Sequence, residues 1–373
     1  MPAERALLRE GDGEWEFRPT QRPGPAVVLA DGSGVLVADG PSLLRLARDG
    51  RVAETYEIPG DPSDIDRIAA SDDGSVLVVH QAGGAIRGYE ARLRQWNGPI
   101  PCGKLRDLRV SANGETVLLA TADGVQVLRS TLATTLRNLI PEEPSAVAVS
   151  ATGEEWLAAL PDGGLVWFDR FGEPRHRANL PGKVECLAAD VTLSRVFVGV
   201  APRELRLVAR GRIHDEFAHT VSAPPAAVDL ARNGALGAAV LGDGSARAFA
   251  GTAPGPRLFL PSVDRLLPQV VVAADGSGFA APARDGQLVV ADPGGHRIGR
   301  WSVGPGVERL GAAGDLSFLV ASRGPAGLRG IDRRPRREPG PPASPGGIHC
   351  DRCGASERVD STFCSSCGER LPR

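Results

Sequence analysis

An all-β ring built from eight repeats of a four-stranded sheet is the architecture this sequence predicts, and three observations predict it. Gly-centred turns recur about every 40 residues. Short β-branched runs flank each turn, and a second Asp-Gly turn follows inside the same unit. Helical periodicity is almost absent.

The first turns are Asp31-Gly32, Asp73-Gly74, Asn113-Gly114, Thr152-Gly153, Asn233-Gly234 and Asp275-Gly276, with gaps of 42, 40, 39, 81 and 42 residues. The double gap holds a degenerate copy, with Val191-Thr192-Leu193-Ser194 at the turn, and an eighth copy falls around Gly314-Asp315. Before the turns run Leu108 to Ser111, Val147 to Ser150, Val228 to Ala231 and Val270 to Ala273. After them run Val76 to His80, Val117 to Thr121, Trp156 to Leu160 and Val196 to Val200.

The second turns are Asp39-Gly40, Asp123-Gly124, Asp162-Gly163, Asp243-Gly244 and Asp285-Gly286. Two hairpin turns per unit are the signature of a four-stranded propeller blade. Proline closes most units, at Pro59, Pro99, Pro141, Pro181, Pro224, Pro261 and Pro305, where a stiff residue without an N–H suits an irregular crossover.

Unit eight supplies three strands, near Val307 to Ala312, Leu316 to Ala321 and Gly327 to Asp332. Its fourth would fall in Arg333 to Gly347, too rich in Pro, Gly and Arg to pair. Glu14-Trp15-Glu16-Phe17 alternates polar and aromatic residues ahead of unit one, and it is the expected outer strand of the last blade, closing the ring. The expected divisions are an eight-bladed propeller over residues 1–332, or seven blades if an end unit packs differently, a linker over 333–347 and a zinc ribbon over 348–373.

The ribbon rests on two Cys-x-x-Cys pairs, Cys350/Cys353 and Cys364/Cys367. Each pair grips one edge of a Zn²⁺ ion, and together they form a closed tetrahedral four-sulfur site with no position open to substrate. Gly354 and Gly368 follow the second Cys of each pair, where a tight turn points N–H groups at sulfur. Val359, Phe363 and Leu371 are too few to form a core, so the metal is expected to take its place. His349 is an alternative ligand, but four cysteines already fill the shell.

On these turn pairs the repeat region resembles the bacterial WD-repeat-like β-propeller proteins. It lacks the Gly-His and Trp-Asp signatures, and Trp167-Phe168-Asp169 is the nearest approach. The tail, Cys350-Asp-Arg-Cys353-Gly through Phe363-Cys364-Ser-Ser-Cys367-Gly, resembles short bacterial zinc ribbons appended to regulatory and assembly proteins. The propeller resemblance implies a component of the kind that accompanies AAA+ ATPases and von Willebrand A domains.

Composition limits the remaining classes. The net charge is −2 over 373 residues; from Arg333 onward eight Arg face five Asp/Glu, so that tail carries +3 and the body −5. Neither part is strongly basic, which disfavours nucleic acid. No apolar run approaches the roughly 18 residues of a membrane span, and Met1 to Arg22 carries charges throughout, so the expected location is the cytoplasm. Cys102 and Cys186 stand far apart and are expected as small buried hydrophobes.

Candidate functional residues each have a plainer explanation. Asp39, Asp123, Asp162, Asp243 and Asp285 would ring one propeller face and could receive a basic peptide or cation, yet Asp-Gly is also the simplest chemistry for a tight turn. Arg333-Arg334-Pro335-Arg336-Arg337 could contact phosphates or serve as an extended charged linker. His214-Asp215-Glu216 with His219 reads as a solvated turn, and His80, His176 and His296 form no pair or triad. Trp15, Trp96, Trp156, Trp167 and Trp301 fit the wedges between blades.

The resulting expectation is a non-enzymatic scaffold, a monomer within a larger complex. Its propeller face would bind a protein partner and its ribbon a second surface. The alternative is a nucleic-acid-associated factor that holds phosphate backbones through the Arg run and ribbon. A propeller hydrolase is a third class, disfavoured by the lack of clustered Glu, Asp and His.

Overall fold

The computed structural model describes residues 8–9, 13–20, 23–59, 64–102, 104–136, 140, 143–210, 217–251, 253–259, 269–283, 286–333, 348–349 and 356–357. The chain divides into two units, 1–333 and 334–373.

The first unit is an eight-bladed β-propeller. Blade 1 comprises Pro23–Val28, Gly34–Asp39, Ser42–Ala47 and Val52–Tyr56, paired antiparallel in sequence order. Blades 2 to 7 repeat that order, with inner strands Ile65–Ala70, Leu105–Val110, Ala146–Val149, Val184–Ala189, Pro225–Leu230 and Val271–Val272. Blade 8 is Arg309–Ala312, Phe318–Ser322 and Leu328–Asp332, with Glu14–Phe17 as fourth strand and Leu8–Arg9 beyond it.

Burial follows radius, for a simple reason. The second strand of a blade is covered on both faces by neighbouring blades, so Val76–Gln81, Thr116–Thr121 and Leu236–Leu241 are buried at every position and read as apolar runs rather than alternations. The fourth strand lies at the rim, and Pro174–Asn179 is almost wholly exposed. Among the described residues the core resolves into eight apolar clusters, and each spans two adjacent blades. Eight interfaces close a ring of eight, which decides against seven.

All five tryptophans lie on strands and pack in these wedges. Trp156 stacks on Phe168 with ring centroids 4.0 Å apart, and Trp167 donates from Nε1 to the Leu193 carbonyl at 2.9 Å. Trp96 and Trp301 cover the outer ends of two wedges and are only half-buried.

The turn after each inner strand needs one residue at positive φ. Glycine supplies it in six units, at Gly32, Gly74, Gly114, Gly153, Gly234 and Gly276. In the degenerate units the residue is leucine: Leu193 at φ 55° and Leu316 at φ 54°. The eighth turn therefore centres on Leu316, two residues beyond the expected Gly314. Both leucines are at most 2% exposed, and burying a leucine (about 1.5–3 kcal/mol) offsets the roughly 1–2 kcal/mol cost of a left-handed residue with a Cβ. Asp190 secures the first of them: its carboxylate accepts from the N–H groups of Thr192, Ser194 and Arg195 at 2.9–3.1 Å and from two hydroxyls.

Those turns also tie blade to blade. Asp31 N–H donates to the carbonyl of Asp72, Asp72 to Ala112, Asn113 to Ala151, and Ala151 to Val191. Val191 donates to Arg232, Asn233 to Ala274, Ala274 to Gly314, and Gly314 back to Ala30, all at 2.5–3.4 Å. This belt of eight backbone hydrogen bonds returns to its start, one per interface. The donors are turn amides beyond the strand ladders, so the belt pairs them at the same positions that fix the blade spacing.

Between blades 8 and 1, Glu14–Phe17 pairs antiparallel with Leu328–Asp332, with Trp15 opposite Gly330. Glu14 meets Arg329 at 2.7 Å and Glu16 meets Arg323 at 2.9 Å. Arg48, from the outer turn of blade 1, reaches both carboxylate oxygens of Asp332 at 3.0 and 2.7 Å and lies over Phe318.

In the second unit Ile348–His349 pairs antiparallel with Ser356–Glu357. Cys350, Cys353, Cys364 and Cys367, and Arg334, Arg336 and Arg337, lie outside the described residues. So do Pro141, His214, Pro261 and Asp285.

Candidate interaction face and axial channel

Strand order gives the propeller two unlike faces. Turns between second and third strands share one face with the crossovers between blades; the belt turns and the third-to-fourth strand turns share the other. Four of the five aspartates singled out from the sequence lie on the crossover face, where most of their chemistry is spent locally. Asp39 is buried and accepts from the Thr20 N–H and hydroxyl at 3.0 and 2.8 Å. Asp243 accepts from Ser222 and from Ser245, and Asp162 from the Gly164 N–H at 2.8 Å. Asp123 is exposed. These carboxylates build turns first, so the plainer explanation carries more of the pattern than an acidic rim does.

The same face carries a feature that sequence reading passed over. Of the 43 basic residues only Lys104 and Lys183 are lysines. Both are exposed, and both sit at the same crossover position, one residue before the inner strands of blades 3 and 5. Beside Lys183 a pocket of about 350 Å³ is lined by Arg106, Glu143, Pro161 and Glu185. Counting Lys apart from Arg would have flagged the pair.

Among the described residues the histidines and cysteines offer no reactive set. His219 Nε2 accepts from the Arg247 guanidinium at 3.0 Å, and burial followed by that positive charge lowers its pKa, which favours the neutral ring. His80 is buried against Asp66, Nδ1 to Oδ1 2.5 Å. Burial pushes the thiol of Cys102 up to about 11 and that of Cys186 up to about 12, so both stay protonated at neutral pH. No metal-binding cluster of His, Cys, Asp or Glu occurs among the described residues. No helix among them is long and apolar enough to cross a membrane.

Arg333, first of the four arginines in the basic run, is committed to the propeller. It donates to the Leu316 carbonyl at 3.1 Å and lies 5.4 Å from the Trp301 ring, and burial lowers its pKa.

At the axis, Arg232 of blade 6 forms a two-pronged ion pair with Asp72 of blade 2. Blades four apart in a ring of eight face each other, so this pair crosses the channel at its belt end. The hydrogen bonds to Asp72 raise the Arg232 pKa above its ordinary value. Above it lies a well of about 380 Å³, lined by Arg109, Val149, Leu187, Val228, Asp229 and Val270 from five blades. Asp229 accepts from its neighbour Leu230 N–H at 2.9 Å and from Val272 N–H of blade 7 at 2.7 Å. Burial pushes its carboxyl up to about 6, partly offset by those two donors and the charge of Arg109.

Half-exposed ion pairs contribute modestly. Arg232→Ala is expected to destabilise the propeller by about 1 kcal/mol, the two-pronged geometry placing it at the upper end for a solvent-accessible pair. The reversed pair, Asp72→Arg with Arg232→Asp, should recover most of that in urea melts, whereas either reversal alone should be worse than alanine.

No family model and no curated protein sequence matches the chain. Solved structures do. The C-terminal WD40 domain of Sif2 superposes with a TM-score of 0.67 at 12% identity, covering 88% of this chain and 98% of that one. Sqt1 from Chaetomium thermophilum, bound to the N-terminus of the ribosomal protein L10, gives a TM-score of 0.65 at 16% identity over 88% of this chain and 100% of that one. At such identities the likeness is one of fold.

Proposed function

We propose that this chain is a non-catalytic adaptor of the bacterial WD-repeat-like type, working in the cytoplasm as one copy within a larger complex. The crossover face of the propeller binds a protein partner, and a zinc ribbon held by Cys350, Cys353, Cys364 and Cys367 engages a second surface. One observation carries the reading: a ring cross-tied by backbone hydrogen bonds at all eight interfaces is a rigid platform from which the opposite, crossover face is presented, so the scaffold itself loses little entropy on binding. Sqt1, a propeller of the same fold, was solved with a chain terminus of a ribosomal protein bound. The pairing of Glu14–Phe17 with blade 8 supports closure of the sheet ring by the N-terminal strand. The pairing of Ile348–His349 with Ser356–Glu357, on either side of the first cysteine pair, supports a metal knuckle there. A linker of about 15 residues spans on the order of 20 Å, enough for the ribbon to act independently.

The test is affinity purification of the intact protein and of residues 1–333 from the native host. A stoichiometric protein should accompany both, and Lys183→Glu with Arg203→Glu on the crossover face should remove it. Capture by residues 334–373 alone, with none by the propeller, would overturn the assignment. Loss of all captured material on nuclease treatment would favour nucleic acid instead.

A further inference from the structure

Each inner strand runs from a crossover to its belt turn, so its early residues stand at the crossover end of the channel. Seven residues before the left-handed residue of that turn, blade 8 carries Arg309, blade 1 Pro25 and blade 2 Arg67. The two arginines thus flank blade 1 at one height. Both are half-buried, and among the described residues they are the only half-buried arginines that make no hydrogen bond or ion pair. Burial and the charge of Arg67 hold the pKa of Arg309 below its ordinary value, and the nearby carboxylates of Glu308 and Asp66 do not make up the difference. Two like charges held together without a counter-ion are costly.

The surrounding groups are spent elsewhere. Pro25 has no side-chain group that could pair. On blade 3 Asp107 accepts from Arg109 at 3.1 Å, and on blade 7 Gln269 commits its amide to the backbone of Glu308 and Leu310. Asp66 is taken up by His80, and the Glu308 carboxylate lies against Gly324, on the turn between the second and third strands of blade 8.

A pocket of about 310 Å³ opens beside Arg309, lined also by Gly24, Pro25 and Asp64. That volume falls at the small end of ligand sites and suits one side chain or a chain end. The Asp72–Arg232 pair crosses the belt end of the channel, so a ligand for the arginines arrives from the crossover face. A carboxylate fits them. Its two oxygens offer about four acceptor sites, enough for one guanidinium on either side. The neighbouring Asp64, Asp66 and Glu308 favour a singly charged anion over a phosphate dianion.

We propose that Arg67 and Arg309 form an anion site that receives a carboxylate of the protein partner, from an acidic side chain or a chain terminus. This rests on the crossover face being the docking face, and it adds the chemistry of the contact.

Nα-acetyl-glutamate α-amide and Nα-acetyl-alanine are the probes, one carrying a side-chain and the other a terminal carboxylate, with Nα-acetyl-glutamine amide as the uncharged control. In the full chain labelled with ¹⁵N, at least one probe should shift the Nε–H resonances of both Arg67 and Arg309, and the control should shift neither. The tighter probe identifies the source of the carboxylate. Arg67→Met and Arg309→Met, which keep the aliphatic stem, should each weaken that probe by about ten-fold or more. Both variants should melt in urea no earlier than wild type, because no ion pair is lost. Clearly earlier melting would place the arginines in the fold's own ion pairs and overturn the site. So would wild-type resonances unmoved by either probe, or inorganic phosphate binding more tightly than both. If the partner still binds the double variant unchanged while Lys183→Glu with Arg203→Glu loses it, the docking face stands and the carboxylate contact is refuted.

Discussion

Replacing Trp15 by alanine is expected to destabilise the propeller by about 3–5 kcal/mol, among the largest effects of any single substitution in it. Trp15 is 3% exposed and sits where the last blade meets the first. Its ring occupies the space above Gly330, where even a Cβ would overlap the indole, and a Cβ on Gly50 of blade 1 would come within 2.7 Å of it. The indole Nε1–H donates to the Arg48 carbonyl at 2.6 Å, and the ring lies 6.2 Å from Phe318. Truncation thus leaves a cavity across two blades and an unpaired carbonyl on the turn that holds Asp332. Gly330→Ala should cost a comparable amount for the opposite reason, since the new methyl meets a ring with no room to retreat. Urea unfolding followed by intrinsic fluorescence and by far-ultraviolet dichroism reads both. Trp96→Ala, at a half-buried rim site, should cost clearly less. A change below about 1 kcal/mol for Trp15→Ala would mean that the N-terminal strand does not hold the ring together.

The second large effect belongs to the tail. If four thiolates hold one Zn²⁺, the metal contributes about 10–16 kcal/mol of apparent binding energy at neutral pH, far more than three apolar side chains could supply. Elemental analysis should give one zinc per chain, and Cys364→Ser with Cys367→Ser should give none. Protease sensitivity of residues 348–373 should then rise sharply, while the melting of residues 1–333 stays unchanged. The sign with pH follows from the ligands: thiols must lose protons to bind, so zinc affinity should fall as pH drops. A chain that retains zinc without these cysteines would require another ligand set.

Much of the propeller was legible because hairpin chemistry repeats. Seven of the eight inner turns stand where the spacing put them, and the eighth centres two residues later, on Leu316. In two units the left-handed position is leucine, and no glycine marks it; burial and, at Leu193, the Asp190 carboxylate replace what glycine provides elsewhere. The axial ion pair was also present in the repeat, though unread. The residue two before the left-handed position is Ala, Asp72, Ala, Ala, Val, Arg232, Ala and Gly in successive units. Two opposite charges four units apart in an eightfold ring must face each other.

That Arg67 and Arg309 lack partners among the described residues could not be read this way. Charged residues occur on several inner strands, as Arg109, Asp229 and Glu185 show, and only the surroundings decide which of them lacks a partner. The lysine pair on the crossover face was hidden for a different reason, since lumping Lys with Arg erased it.

Amide hydrogen exchange on the purified complex tests the central claim most directly. Comparison with the free protein should show new protection in the crossover-face segments 40–41, 181–183 and 201–203. The turns at 49–51, 93–94 and 171–172 on the opposite face should exchange as before. Protection confined to that opposite face, or none on the propeller at all, would contradict an adaptor that works through its crossover loops.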